Sequence, residues 1–214
     1  MTLQKGPIVI NATANNFNLK ASALSEEGVI PWSWQGWNES FVDHELHLVL
    51  NGFAAPDGVR SSMNGSRSHD SGAAAILDIY RQKGNEFVKN LRGSFALALW
   101  DARQRSLLLA TDHFGTRPIY YGLANQRIAF APCISGFASA AEMRKAIEPN
   151  SLYFYLNHSF IPAPFTIFKN IRRLEPGQVL EWADRRSSVR RYWDMAYQEE
   201  RNLSELAAAE LLRE

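Results

Sequence analysis

The chain has 214 residues, one cysteine and 23 basic against 22 acidic side chains, a formal charge of +1. One cysteine excludes an intrachain disulfide and a Cys-cluster zinc site, and near-zero charge argues against a general binder of nucleic acid or of a membrane surface. Hydrophobic content of 46% with 12% aromatics fits a packed globule, no apolar run nears the roughly 20 residues of a membrane span, and the short apolar run after Lys5 is no signal-peptide core, so a cytoplasmic protein is expected.

Residues 7–12 (Pro-Ile-Val-Ile-Asn-Ala) are apolar and β-branched and predict a strand. A mixed stretch over 13–30 follows, with a turn signal at Asn15-Asn16. Trp32, Trp34 and Trp37 come next. Stacking of a base or a sugar is one reading of them; packing of a strand edge or loop on the core is the preferred one, given the burial energy of aromatic rings. Residues 44–50 predict a strand running into a turn at Asn51-Gly52. On a strand, His44 and His47 point to opposite faces, which argues against a shared metal.

Residues 53–72 are rich in Gly, Ser, Asp and Asn and predict a long loop. Asp70 or Ser71 would cap a helix over about 73–90, interrupted at Gly84. Leu91 to Asp101 alternates large and small residues and predicts a buried strand, turned at 101–104 and returned by 107–111. A turn is predicted over 112–118, short strands over 119–121 and 127–131, and helices over 136–146 and 150–158. Cys133, beside Phe130, Ala131 and Ile134, reads as a buried structural thiol. Pro176-Gly177 marks a turn before a closing strand pair, 178–182 with 189–193. Residues 202–214 read as an amphipathic helix capped at Asn202 or Ser204 with no stop signal, so the chain is expected to continue in the intact protein.

Residues 93–121 contain Gly93, Phe95, Ala96, Ala98, Leu99, Trp100 and Asp101, then Asp112, Phe114, Gly115, Arg117, Pro118, Ile119, Tyr120 and Tyr121. Further on stand Phe165-Thr166-Ile167-Phe168-Lys169-Asn170-Ile171, then Leu174, Pro176 and Gly177, and lastly Arg191-Tyr192-Trp193-Asp194. Over roughly residues 45–200 this pattern resembles the glutaminase domain of asparagine synthetases, a class II glutamine amidotransferase of N-terminal-nucleophile type. The resemblance implies an α+β fold, a four-layer αββα sandwich. It implies an amidotransferase-like domain over 1–197, and over 198–214 the first helix of a truncated synthetase (ATP pyrophosphatase) domain C-terminal to it.

The resemblance also says what the chemistry would require. Such domains attack glutamine with an N-terminal cysteine whose own α-amino group is the base, yet position 2 is Thr2 and the sole cysteine is Cys133. The family's oxyanion hole is matched by Asn51 and Gly52 alone, since Phe53-Ala54-Ala55-Pro56 replaces the rest of its motif. Asp70 matches the aspartate that holds the substrate amine, and the carboxylate-binding arginine has no counterpart before Asn51, Arg60 lying after it. The pattern looks like β-lactam synthetase and lasso-peptide cyclase-like proteins, whose glutaminase domain has lost its reaction. The ATP-binding Ser-Gly-Gly-x-Asp-Ser loop is not in this sequence, so ATP and Mg are expected only for the missing domain. Three readings follow: a docking domain without glutaminase activity, a working glutaminase that uses Thr2 once Met1 is removed, and a module that binds glutamine or another amino acid without cleaving it. A homodimer is a further possibility, because the early tryptophans suit a core or an interface.

Overall fold

A computed structural model describes residues 8–9, 29–31, 37, 39–43, 45–57, 69–124, 126–137 and 146–197. In chain order the strands are β1 Ile8–Val9, β2 Val29–Pro31, β3 Glu39–Asp43, β4 Leu46–Pro56, β5 Leu91–Asp101, β6 Ser106–Thr111, β7 Tyr120–Ala124, β8 Arg127–Ala131, β9 Ile171–Arg173, β10 Gln178–Ala183 and β11 Arg186–Arg191. The helices are α1 His69–Lys83 and α2 Pro149–His158, with 3-10 turns at Gly84–Asn90 and Ile134–Phe137. Seven strands form one antiparallel sheet in the order β1-β3-β4-β5-β6-β10-β11, and four form a second in the order β2-β8-β7-β9.

The alternation in β5 builds the layers. Phe95, Leu97 and Leu99 face α1 and join Leu48 and Leu50 of β4 with Ile76, Leu77 and Tyr80 of the helix. Ala96 and Ala98 face the other way, because successive side chains of a strand alternate. Being small, they let the second sheet approach, and Ile119, Tyr121, Ile128 and Phe130 fill the space between the sheets. Phe137 of the second 3-10 turn covers the outer face of the smaller sheet with Ala129, Ala131 and Ile171. The expected α+β sandwich is therefore present, with α1 outside the larger sheet and helical structure outside the smaller one.

A buried hydrogen bond fixes α1 against the far end of β5. Tyr80 donates to Asp101 Oδ2 at 2.8 Å, and the other Asp101 oxygen accepts the Arg103 and Gln104 N–H groups. Burial first, then the Asp101 carboxylate, pushes the Tyr80 phenol above its ordinary range.

Several expectations need correction. Asn51-Gly52 is not a turn: β4 runs through it to Pro56, paired with β5 from Leu46↔Asp101 to Pro56↔Leu91. The predicted 53–72 loop is accordingly shorter, since 53–56 are strand and α1 already begins at His69. Gly84, with φ +56°, does end the α-helix, and a 3-10 turn continues from it. Trp37 packs on the core as expected, edge-on to Phe130 with ring centres 6.0 Å apart. Trp32, Trp34, His44, Arg60 and the 202–214 segment lie outside the described residues. No helix among the described residues is long and apolar enough to cross a membrane.

Candidate functional site

Asn51 and Gly52 sit in the middle of β4, opposite Ala96 and Phe95 of β5. Asn51 is buried and shares with Val49 the face that looks into the space between the sheets. Gly52 has φ +99°, a backbone state that L side chains rarely adopt. A Cβ there would stand 2.1 Å from the Ser94 carbonyl oxygen and 3.2 Å from Arg117 Cγ. Only glycine fits between those two groups.

Across β5 from Gly52 lies Asp112, 1% exposed. Its N–H donates to Phe95 O at 3.0 Å, and the Phe95 N–H donates to its Oδ2 at 3.1 Å. Oδ1 accepts the Phe114 N–H at 2.9 Å. Thr116 gives both its N–H and, at 2.6 Å, its hydroxyl proton to the carboxylate. Burial alone would raise the carboxyl pKa, but the hydrogen bonds from Thr116, Phe114 and Phe95 overcome it and hold the group below its ordinary value. Because Thr116 commits its proton to Asp112, Ser94 is the donor in the 2.7 Å Ser94–Thr116 contact. Ser94 then presents lone pairs to solvent beside Gly52.

Asp112 also gathers the motifs that are far apart in sequence. Its carbonyl accepts from the Gly115 and Gly177 N–H groups at 3.1 and 3.0 Å. The Gly177 carbonyl accepts from Tyr192 and Trp193 at 2.8 and 3.3 Å, and Tyr192 donates its hydroxyl to Thr111 O at 2.7 Å. His113 meets Tyr192 and Trp193 edge-on at 5.6 and 4.9 Å, and Phe114 meets Trp193 at 5.4 Å. Burial, followed by the nearby Arg92 charge, lowers the His113 pKa. The segments 93–101 and 112–118 thus meet at the Asp112 carboxylate, 174–177 at its carbonyl, and 191–194 at Gly177 and the rings of His113 and Phe114.

The other predicted residues stand elsewhere. Asp70 falls in the first turn of α1, so it is part of the helix and does not cap a later one. Cys133 is half-buried, not buried: it follows the end of β8, where the chain turns into the second 3-10 turn, and its sulfur accepts the Ser135 hydroxyl at 3.2 Å. Thr2 lies outside the described residues. The first described strand, β1, begins at Ile8. Ile8 shares a row with Val42 and His47, and β1 runs parallel to β4 with β3 between them. The row of Asn51 lies four residues onward in that direction, while Thr2 precedes Ile8 in the sequence.

Ser94, Thr116 and Arg117 complete the site, and no site role was expected of them. Asp112-x-x-x-Thr116 is a local turn pattern that a reader of the sequence can find. The meeting of Ser94 with Thr116, 22 residues apart, depends on the sheet and is not legible in advance. Among the described residues no three His, Cys, Asp or Glu side chains come together as a metal site.

Residues 44–193 match the model of a glutamine amidotransferase domain. The glutamine-hydrolysing asparagine synthetase 1 of Bacillus subtilis is 32% identical over 108 residues, 50% of this chain and 17% of the relative. The amidase chyE of Penicillium rubens is 27% identical over 160 residues, 72% of this chain and 23% of the relative. Among solved structures, a glutamine phosphoribosylpyrophosphate amidotransferase from B. subtilis matches with a TM-score of 0.43 and 15% identity, covering 71% of this chain and 30% of its own. The chain therefore spans under a quarter of the length of the curated relatives it matches.

Proposed function

The chain belongs to the glutamine amidotransferase domain family, related to asparagine synthetases, and on that premise we propose that it is a glutaminase-type scaffold that does not hydrolyse glutamine and serves as a structural and docking domain for an ATP-dependent amide-forming enzyme. One observation carries this reading. The single cysteine of the sequence, Cys133, follows a strand of the smaller sheet and, being internal, has no free α-amino group of its own to serve as base.

The remnants Asn51 and Gly52 are two donors with no nucleophile to serve. An oxyanion hole stabilises charge that develops only after attack, so donors alone do not open an amide. What persists is the part that holds the fold, namely the motifs gathered on Asp112. The docking surface is apolar: Phe114, Met195 and Tyr197 are exposed next to or following Trp193. A domain that follows this one would cover them, and ATP and magnesium would belong to that domain.

A direct probe is a glutamine analogue with an electrophilic diazoketone, which alkylates N-terminal nucleophiles. The intact mass of the chain after incubation is expected to equal that of the untreated protein. A single adduct mapped to Thr2 would overturn the reading.

A further inference from the structure

We propose that Ser188 is a phosphorylation site, read through Arg185 and Arg186 by an arginine-directed protein kinase, and that its phosphate opens an ion-pair clasp centred on Arg190. Ser188 lies on β11, four strands across the larger sheet from β4, about 19 Å at the usual strand spacing. The inference is thus separate from the fate of glutamine at Asn51 and Gly52.

The acceptor is accessible. β11 ends the sheet order and, among the described residues, pairs only with β10. All its residues but Arg190 are exposed. An edge strand is already extended and offers free backbone groups on its outer side, the form in which a binding groove takes up a peptide. Kinases select substrates largely by charge pattern. From residue 185 to residue 193 the chain has four arginines and no Asp or Glu. Arg185 and Arg186 stand three and two residues before Ser188, and the exposed Val189 follows it. Ser187 points to the opposite face of the strand, where it is paired with Trp182. In the transfer, Ser188 Oγ attacks the γ-phosphorus of ATP and the bond to the β-phosphate oxygen breaks. ADP leaves, and the kinase's catalytic aspartate takes the hydroxyl proton.

The surroundings of Ser188 say what the phosphate does. Ser188 is directly opposite Glu181 and shares its face with Arg186 and Arg190. In the unmodified chain Arg190 Nε donates to Glu181 Oε1 at 3.1 Å, Nη2 donates to Asn85 O at 3.1 Å, and Nη2 pairs with Glu86 Oε1 at 2.9 Å. Asn85 Nδ2 donates to Glu181 Oε2 at 3.0 Å and closes the network. These bonds tie the Gly84–Asn90 turn to the β10–β11 hairpin. A phosphoserine brings a charge of about −1.5 to −2. Opposite Glu181 it repels that carboxylate, and beside Arg190 it outcompetes the single charges of Glu181 and Glu86 for the guanidinium. Arg190 turns to the phosphate, and the Gly84–Asn90 turn loses its tie.

The test incubates the full, native chain with the catalytic subunit of a cyclic-AMP-dependent protein kinase, magnesium and ATP. Tandem mass spectrometry is expected to find one phosphoryl group per chain, on Ser188. Arg186→Ala should slow its incorporation at least about tenfold, the equivalent of one charge-assisted contact, and Ser188→Ala should abolish it. Hydrogen exchange at the backbone amides of 84–90 should be faster in the phosphorylated chain, and unphosphorylated Arg190→Met should match it. Phosphate on Ser187 or elsewhere instead, incorporation only after denaturation, or exchange over 84–90 that phosphorylation leaves unchanged would each overturn the proposal.

Discussion

Replacing Asp112 with alanine is expected to lower the thermal midpoint by roughly 10 °C, the largest effect of any single substitution in the site. The reasoning starts from where the carboxylate sits. It is 1% exposed and accepts from three backbone N–H groups and one hydroxyl. Alanine leaves the Phe95 N–H buried and the Phe114 and Thr116 donors partly buried without their acceptor, and a fully buried orphaned donor costs about 1–3 kcal/mol. The costs are not additive, and a total of about 3–5 kcal/mol is expected. Asp112→Asn should be milder, because one oxygen remains, but its amide group then faces N–H donors.

The same carboxylate predicts the acid response. Its folded-state pKa is depressed relative to the unfolded value. Its contribution is therefore fully present above the unfolded carboxylate pKa and is lost as pH falls through the lower, folded value. Acid unfolding of the wild type should be steeper than that of Asp112→Asn over this window. Parallel acid-unfolding curves for the two proteins would count against a stabilising charge at this position.

Gly52→Ala should be nearly as damaging, for a different reason. A methyl group at residue 52 meets the Ser94 carbonyl oxygen at 2.1 Å, and that atom is backbone in a fully paired strand. Relief requires β4 and β5 to separate at the centre of the larger sheet. Gly84→Ala is the internal control: its φ is +56°, but nothing lies within 4 Å of the added carbon. That control should cost about 1 kcal/mol from conformation alone. Gly52→Ala should cost about 3 kcal/mol or more in urea unfolding. Equal costs for the two variants would mean that the strands yield freely at Gly52.

The parts of this fold that were legible are those where local pattern and tertiary environment agree. Leu91 to Asp101 was readable because its large residues face one core and its alanines the other. The hairpin with β6 and the helix at 150–158 followed from the same kind of signal. Asn51-Gly52 misled because Asn-Gly is a strong turn signal, whereas here an eleven-residue pairing with β5 overrides it and glycine supplies a positive φ inside a strand. The start of α1 was hidden for a related reason: His69 to Gly72 has loop composition, yet it forms the helix's first turn. Cys133 was read from apolar neighbours, but its position after the strand end leaves it half-exposed. The joining of four separate motifs at Asp112 is a property of the sheet order, which no local window contains.

Ammonia release from glutamine decides whether this domain hydrolyses its amide. The full chain, purified with its N-terminus sequenced to establish whether Met1 has been removed, is incubated with millimolar glutamine and the ammonia is followed against a protein-free blank. A rate equal to the blank is expected, unchanged by Thr2→Ala and by Asn51→Ala. Turnover above the blank that disappears with Thr2→Ala would contradict it and make this domain a threonine-dependent glutaminase.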